Sequence, residues 1–116
     1  MVKLESLKKS YQFKKTLKEK KAHSEFFSIF ATKKFYEPKY KSNLLISFVM
    51  KKKIGNAVKR NKIRRKLKAI VQKLLKKRGA ISKDYTYIVL GKSNAYTQKQ
   101  TVLMPVMERC FNKIKI

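Results

Sequence analysis

Ile63, Leu67, Ile70, Val71 and Leu74 recur at i, i+4, i+7, i+8 and i+11 within a segment that is otherwise strongly cationic. That spacing draws one buried stripe along a helix. It constrains the fold more than any other feature, because a helix with so apolar a stripe and so charged a remainder must lie on a second layer. Asn56 stands where an N-cap belongs and Gly79 where a helix stops, so the pattern predicts a helix from about Asn56 to near Arg78. On a helical wheel Asn61, Arg64, Arg65 and Lys68 form one polar flank; Lys62, Lys66, Lys73 and Lys77 form the other. Arg60 falls at the edge of the stripe and should reach along the buried seam. Val58 lies off the stripe, and the pattern does not account for it.

The layer beneath that helix is expected to be a small sheet. Phe26 to Ala31 is aromatic and β-branched, which favours a strand. Alternation puts Phe26, Ser28 and Phe30 on one face and Phe27, Ile29 and Ala31 on the other. Leu44 to Met50 reads as a second strand. Glu37-Pro38-Lys39 marks a turn between them, so the two are expected to form a hairpin with a loose connection. Tyr85 to Leu90 is a third strand, followed by a turn over Gly91 to Asn94. A first helix is expected from Ser10, as N-cap, to Lys18, with Phe13 and Leu17 paired one turn apart; residues 1–9 would precede it as a mobile basic arm. A last helix carries Leu103, Val106, Met107, Cys110, Phe111 and Ile114 on one face, with Pro105 tolerable near its first turn. The expected whole is a single domain over residues 1–116: a two-layer α/β sandwich of order α-β-β-α-β-α, with a small mixed sheet and an arginine-rich central helix.

Charge narrows the partners. The 116 residues hold 32 basic and 6 acidic side chains, a net charge of +26, while 43% are apolar. Such a charge repels itself in isolation and implies a polyanionic partner. Nucleic acid comes first and an anionic membrane surface second. No run reaches the ~18 apolar residues of a membrane span, and the N-terminus has no apolar core of a secretory signal. The single cysteine, Cys110, permits no intrachain disulfide and fits a reducing, cytoplasmic setting.

Catalytic constellations are missing. His23 is the one histidine, and it reads as solvated. Glu5, Glu19, Glu25, Glu37, Asp84 and Glu108 show no spacing of a metal pair or an acid/base dyad, so no catalytic and no metal-binding residue is assigned. Cys110 sits on the apolar face of the last helix and reads as core. No Gly-Lys-Ser/Thr follows Gly55, so a nucleotide-binding loop is not supported.

Binding chemistry is richer. Three of the five arginines lie within Arg60 to Arg65, in a chain whose other basic residues are nearly all lysine. Arginine offers a planar fork matched to phosphate, whereas lysine is a flexible point charge. The helix start at Asn56 presents free backbone N–H groups, surrounded by Lys52, Lys53, Arg60, Arg64, Arg65 and Lys68. Phe30, with Phe26, is a candidate base-stacking platform on the open face of the sheet, weighed evenly against a place in the core.

The run Lys52-Lys53-Ile54-Gly55-Asn56-Ala57-Val58-Lys59-Arg60-Asn61-Lys62-Ile63-Arg64-Arg65 resembles the protein subunit of bacterial ribonuclease P. The resemblance is most specific over residues 52–68 and extends, more loosely, to the element order and the Asp84-Tyr85 strand entry. Lys62 stands where that family usually has arginine, Leu17 where it often has an aromatic residue, and Lys20 near a usual glycine. The resemblance implies a subunit of an RNA-based endoribonuclease that removes the 5′ leader from precursor tRNA. The RNA subunit would perform hydrolysis with magnesium, and the protein would hold no cofactor of its own. By position, Lys52, Lys53, Asn56, Arg60, Asn61, Lys62, Arg64, Arg65 and Lys68 would face the RNA subunit. Phe13, Leu17, Phe26 and Phe30 would meet the leader in a cleft between the sheet and the first helix. The implied partners are the catalytic RNA and precursor tRNA, with no membrane and no required protein partner. The alternatives are a structural RNA-binding protein of the ribosomal type, which composition suits equally well, and a DNA- or membrane-surface protein using the basic amphipathic helix.

Overall fold

The computed structural model describes residues 3–35 and 43–115. Its elements are β1 (Leu4–Glu5), α1 (Ser10–Lys18), β2 (Lys20–His23), β3 (Phe27–Lys33), β4 (Leu44–Met50), α2 (Ala57–Leu75), β5 (Tyr85–Gly91) and α3 (Gln100–Lys115). The six expected elements occur in the expected order, with two short edge strands added. The strands form one mixed sheet of order β1-β4-β5-β3-β2. β4 and β5 are parallel, joined by α2 as the crossover, and β3 runs antiparallel to β5.

The apolar stripe of α2 is buried as a unit: Ile63, Leu67, Ile70, Val71 and Leu74 have no exposed surface. Each such side chain stabilises the fold by about 1.5–3 kcal/mol as an upper estimate. They pack with Phe27, Ile29, Ala31, Leu44, Ile46, Tyr87 and Val89 from the sheet and with Leu103, Met107 and Phe111 from α3. Asn56 caps α2, its Oδ1 accepting the Lys59 N–H at 3.0 Å. The helix ends at Leu75, sooner than Arg78, and Gly79 instead takes a φ of 77° in the turn that follows.

The opposite face is covered at one end by α1. Leu7, Leu45 and Ile88 form a second, smaller core there, with Phe13, Phe30, Phe35 and Val49 against it. Gln12 and Thr16 press onto this face, which also carries Ser28, Thr32, Ser47 and Thr86, all buried. Every buried polar side chain among the described residues therefore lies on the α1 side of the sheet.

Four expectations need correction. β3 and β4 are not a hairpin: β5 lies between them. Tyr85 to Leu90 is apolar or β-branched on both faces, so it takes the centre, where both faces are covered; the expected turn at Pro38 lies outside the described residues. Ser10 is not the N-cap, because the cap position is Lys9 and the Gln12 Oε1 accepts the Lys8 and Lys9 N–H groups at 3.4 Å. Residues 4–7 are not a free arm: Leu4 and Glu5 pair with Leu44 and Leu45, and the Leu7 N–H donates to Ser47 Oγ at 2.8 Å. Gly91 ends β5 rather than opening a turn; the 3-10 turn spans Ser93–Tyr96.

Candidate nucleic-acid interface

The two polar flanks of α2 have different fates. On one, Lys66 Nζ donates to the carbonyls of Ala95, Tyr96 and Gln98 at 3.1, 2.9 and 2.7 Å. Burial, with Lys62 beside it, lowers the pKa of Lys66 from the ordinary lysine value. The same flank places Lys59 and Lys62 over the Tyr96 ring, 5.1 and 4.9 Å from its centroid. Lys73 bonds Gln100 at 2.8 Å, and Lys77 pairs with Glu108 at 3.3 Å. This flank is the seam to α3, and sequence reasoning missed it because a lysine bound to backbone carbonyls leaves no signature in the pattern.

The other flank is open. Arg65 and Lys68 are exposed and make no hydrogen bond or ion pair among the described residues, while Arg64 Nη1 donates to Asn61 Oδ1 at 2.7 Å across one turn. That bond holds the guanidinium against the helix and still leaves most of its donors outward. Arg60 lies half-buried beside the stripe, its Nε buried with no hydrogen-bond partner, as its wheel position requires. Val58, at 76% exposure, stands on the first turn among Asn56, Asn61 and Arg65. Lys62, expected with the arginines, turns towards Tyr96 instead. Lys53 also departs from them: with Lys51, Ile54, Leu90, Gly91, Lys92 and Ser93 it lines a cavity of about 380 Å³ at the ends of β4 and β5. Lys52 is exposed in the 3-10 turn just before α2.

Across the sheet, α1 leaves part of the second face uncovered. Phe13 and Phe30 are half-buried against the smaller core. Beside them stand His23, edge-on to Phe30 at 5.8 Å with Nδ1 2.7 Å from Ser28 Oγ, and the exposed Lys21, which is paired with Phe30 across β2 and β3. Leu17, one turn on from Phe13, is 43% exposed. Phe13 and Phe30 thus flank one small core, with Leu17 exposed one turn beyond Phe13 and Lys21 beside Phe30. Phe26 does not join them. Ser24 closes a tight turn, its N–H donating to the Phe27 carbonyl at 2.9 Å, so the strand alternation begins only at Phe27. Phe26 is therefore buried in the main core with α2 and α3.

Three of the carboxylates are engaged in structure. Glu5 accepts from Asn43, Glu19 from Thr32 and Glu108 from Lys77. Among the described residues, no three of His, Cys, Asp and Glu come together as a metal site, so these side chains do not fit a magnesium ion. Cys110 is buried, and that burial raises its thiol pKa. The described surface instead carries an exposed basic flank on α2, a cavity lined by Lys51, Lys53 and Lys92, and half-buried aromatic rings beside α1.

Known proteins agree in sequence and in fold. The chain is 30% identical over 109 residues to the ribonuclease P protein component of Mycoplasma mycoides subsp. mycoides, and 28% identical over 109 residues to that of Mycoplasma capricolum subsp. capricolum; each match covers 94% of both chains. Its backbone is similar to the Staphylococcus aureus RNase P protein, with a TM-score of 0.71, 20% identity, and coverage of 96% of this chain and 95% of that one. The family model described as Ribonuclease P matches residues 1–115. The chain belongs to the ribonuclease P protein family.

Proposed function

We propose that the chain works beside a catalytic RNA to remove the 5′ leader from precursor tRNA, in the cytoplasm. The open flank of α2, carrying Asn61, Arg64, Arg65 and Lys68, docks the RNA subunit. The groove of Phe13, Leu17 and Phe30 takes the single-stranded leader. The observation that carries this reading is that an exposed basic flank on α2 and half-buried aromatic rings beside α1 lie on opposite faces of one sheet, which suits a protein that joins two RNAs. Magnesium held by the RNA supplies the hydrolytic chemistry. The protein's part is electrostatic and positional: each phosphate neutralised by Arg65, Lys68 or their neighbours releases counterions and strengthens the complex. Leader contacts exist only before cleavage, so they favour precursor over product.

The test is cleavage of a 5′-extended tRNA by the cognate RNA subunit at low magnesium, with and without the protein. Faster cleavage with the protein is expected. No gain over the RNA alone would overturn the reading and return the chain to a purely structural RNA-binding role.

A further inference from the structure

We propose that Tyr11 and Phe35, with Lys9 and Lys15, form a second contact for single-stranded RNA, taking the part of the leader that lies 5′ of the nucleotides at Phe30. The proposal rests on the leader reading above and extends it to a surface on the far side of α1.

α1 separates the two surfaces. It starts over β4, where the Leu7 N–H meets Ser47, and ends over β3, where the Thr32 hydroxyl donates to Glu19 at 2.6 Å. Its buried side, Gln12 and Thr16, lies on the part of the sheet that holds the buried pair Thr32 and Thr86, opposite each other in register. Phe30 stands on one side of that row. Phe35 stands on the other, beyond the end of β3. Helical geometry gives α1 two opposed flanks: Phe13 and Leu17 towards Phe30, Tyr11 and Lys15 towards Phe35.

The second flank has the chemistry of a base-stacking site. The Tyr11 and Phe35 rings meet edge to face at 5.9 Å and 86°. Lys9 Nζ lies 5.9 Å from the centroid of Tyr11, and Lys15 Nζ 5.8 Å from that of Phe35. Tyr11 keeps 54% of its surface exposed, although a tyrosine on a helix beside a sheet has apolar surface within reach to cover it. Lys15 forms no ion pair among the described residues, so its charge is available to a phosphate. Exposed rings beside lysines hold single-stranded nucleic acid without demanding a base sequence. A chain of net charge +26 favours that occupant over a cationic or apolar one. Phe35 lies five residues beyond Phe30, the last two of them past the end of β3, a span of at most about 18 Å, and the helix between them is ~10 Å across. A leader must therefore be long enough to cross α1 before it reaches Tyr11.

The experiment measures precursor affinity of the reconstituted holoenzyme with two substrates. One carries a leader of only a few nucleotides, too short to cross α1; the other extends that leader well beyond it. The wild-type protein is expected to bind the long leader more tightly. Tyr11→Ala should weaken the long-leader complex by about tenfold and leave the short one unchanged. Tyr11→Phe, which keeps the ring, should behave as wild type. A long-to-short ratio that Tyr11→Ala does not alter, or equal weakening of both complexes, would overturn the second contact. Phe30→Ala should weaken both; if it weakens neither, the leader groove itself is wrong, a failure separable from that of Tyr11.

Discussion

Thr32 and Thr86 lie directly opposite each other on adjacent strands, both without exposed surface, and yet the same substitution should affect them in opposite directions. The Thr32 hydroxyl donates to Glu19 Oε2 at 2.6 Å. The Thr86 Oγ1 is buried with no hydrogen-bond partner, as is the nearby face's Gln12 Nε2. An unpaired buried hydroxyl carries a desolvation penalty of about 1–3 kcal/mol, which a methyl of the same shape removes. Valine also suits a strand better than most residues. Thr86→Val should therefore stabilise the protein by about 1 kcal/mol, near the low end of that range, raising the melting temperature by roughly 4 °C. Thr32→Val should destabilise it by about 1–2 kcal/mol, because Glu19 loses a charge-assisted bond. Urea unfolding at fixed ionic strength measures both, with an unchanged m-value showing that stability alone has moved. A loss of stability in Thr86→Val comparable to that in Thr32→Val would refute the reasoning, since it would mean that the Thr86 hydroxyl is bonded.

Other consequences follow from single residues. Arg65→Ala should weaken assembly with the RNA subunit and reduce the salt dependence by about one phosphate contact; filter binding across a salt series would show no change in slope if Arg65 faces solvent in the complex. Gly91→Ala would place a Cβ 2.3 Å from Met50 Sδ and 3.1 Å from Ile63 Cγ2, so overpacking should cost about 1–3 kcal/mol in thermal unfolding. Burial holds the Tyr87 phenol, which donates to the Ser82 carbonyl at 2.7 Å, well above its ordinary pKa. The folded state thus keeps that proton longer than the unfolded state. Its contribution is full below the ordinary tyrosine range, near pH 10, and is lost as pH rises through it towards the folded value. Stability of Tyr87→Phe should fall less steeply than wild type over that alkaline range, and an equal slope would count against the assignment.

Long, strongly periodic segments were legible from the chain alone. The α2 stripe follows from side-chain period, because the core selects one face of the helix; the limits of β4 follow from its nearly continuous apolar run, because Leu44 and Ile46 enter one core and Leu45 the other. Contacts set by tertiary neighbours were not. The order of the strands depends on which of them needs both faces covered, and β5 wins that place over β4 despite its distance in sequence from β3. β2 is invisible because Lys20, Lys21 and His23 are polar and only Ala22 is buried, which is how an edge strand is kept from pairing further. Phe26 was misplaced because alternation says nothing about where a strand begins, and a Ser24 turn decided it. Of the proposed interface, Arg64, Arg65 and Lys68 were placed by the wheel. Lys62 was placed by the wheel on the opposite flank, where it meets Tyr96, and was grouped with the arginines only through the family run.

A protein that joins catalytic RNA and leader at separate surfaces should distinguish precursor from mature tRNA. The most direct measurement is the affinity of the holoenzyme for precursor and for mature tRNA, each compared with the RNA subunit alone at the same salt and magnesium. The protein should tighten precursor binding and leave mature tRNA nearly unchanged, with Phe30→Ala removing about 1–3 kcal/mol of that preference and sparing assembly. Equal tightening of both tRNAs, unaltered by Phe30→Ala, would contradict it.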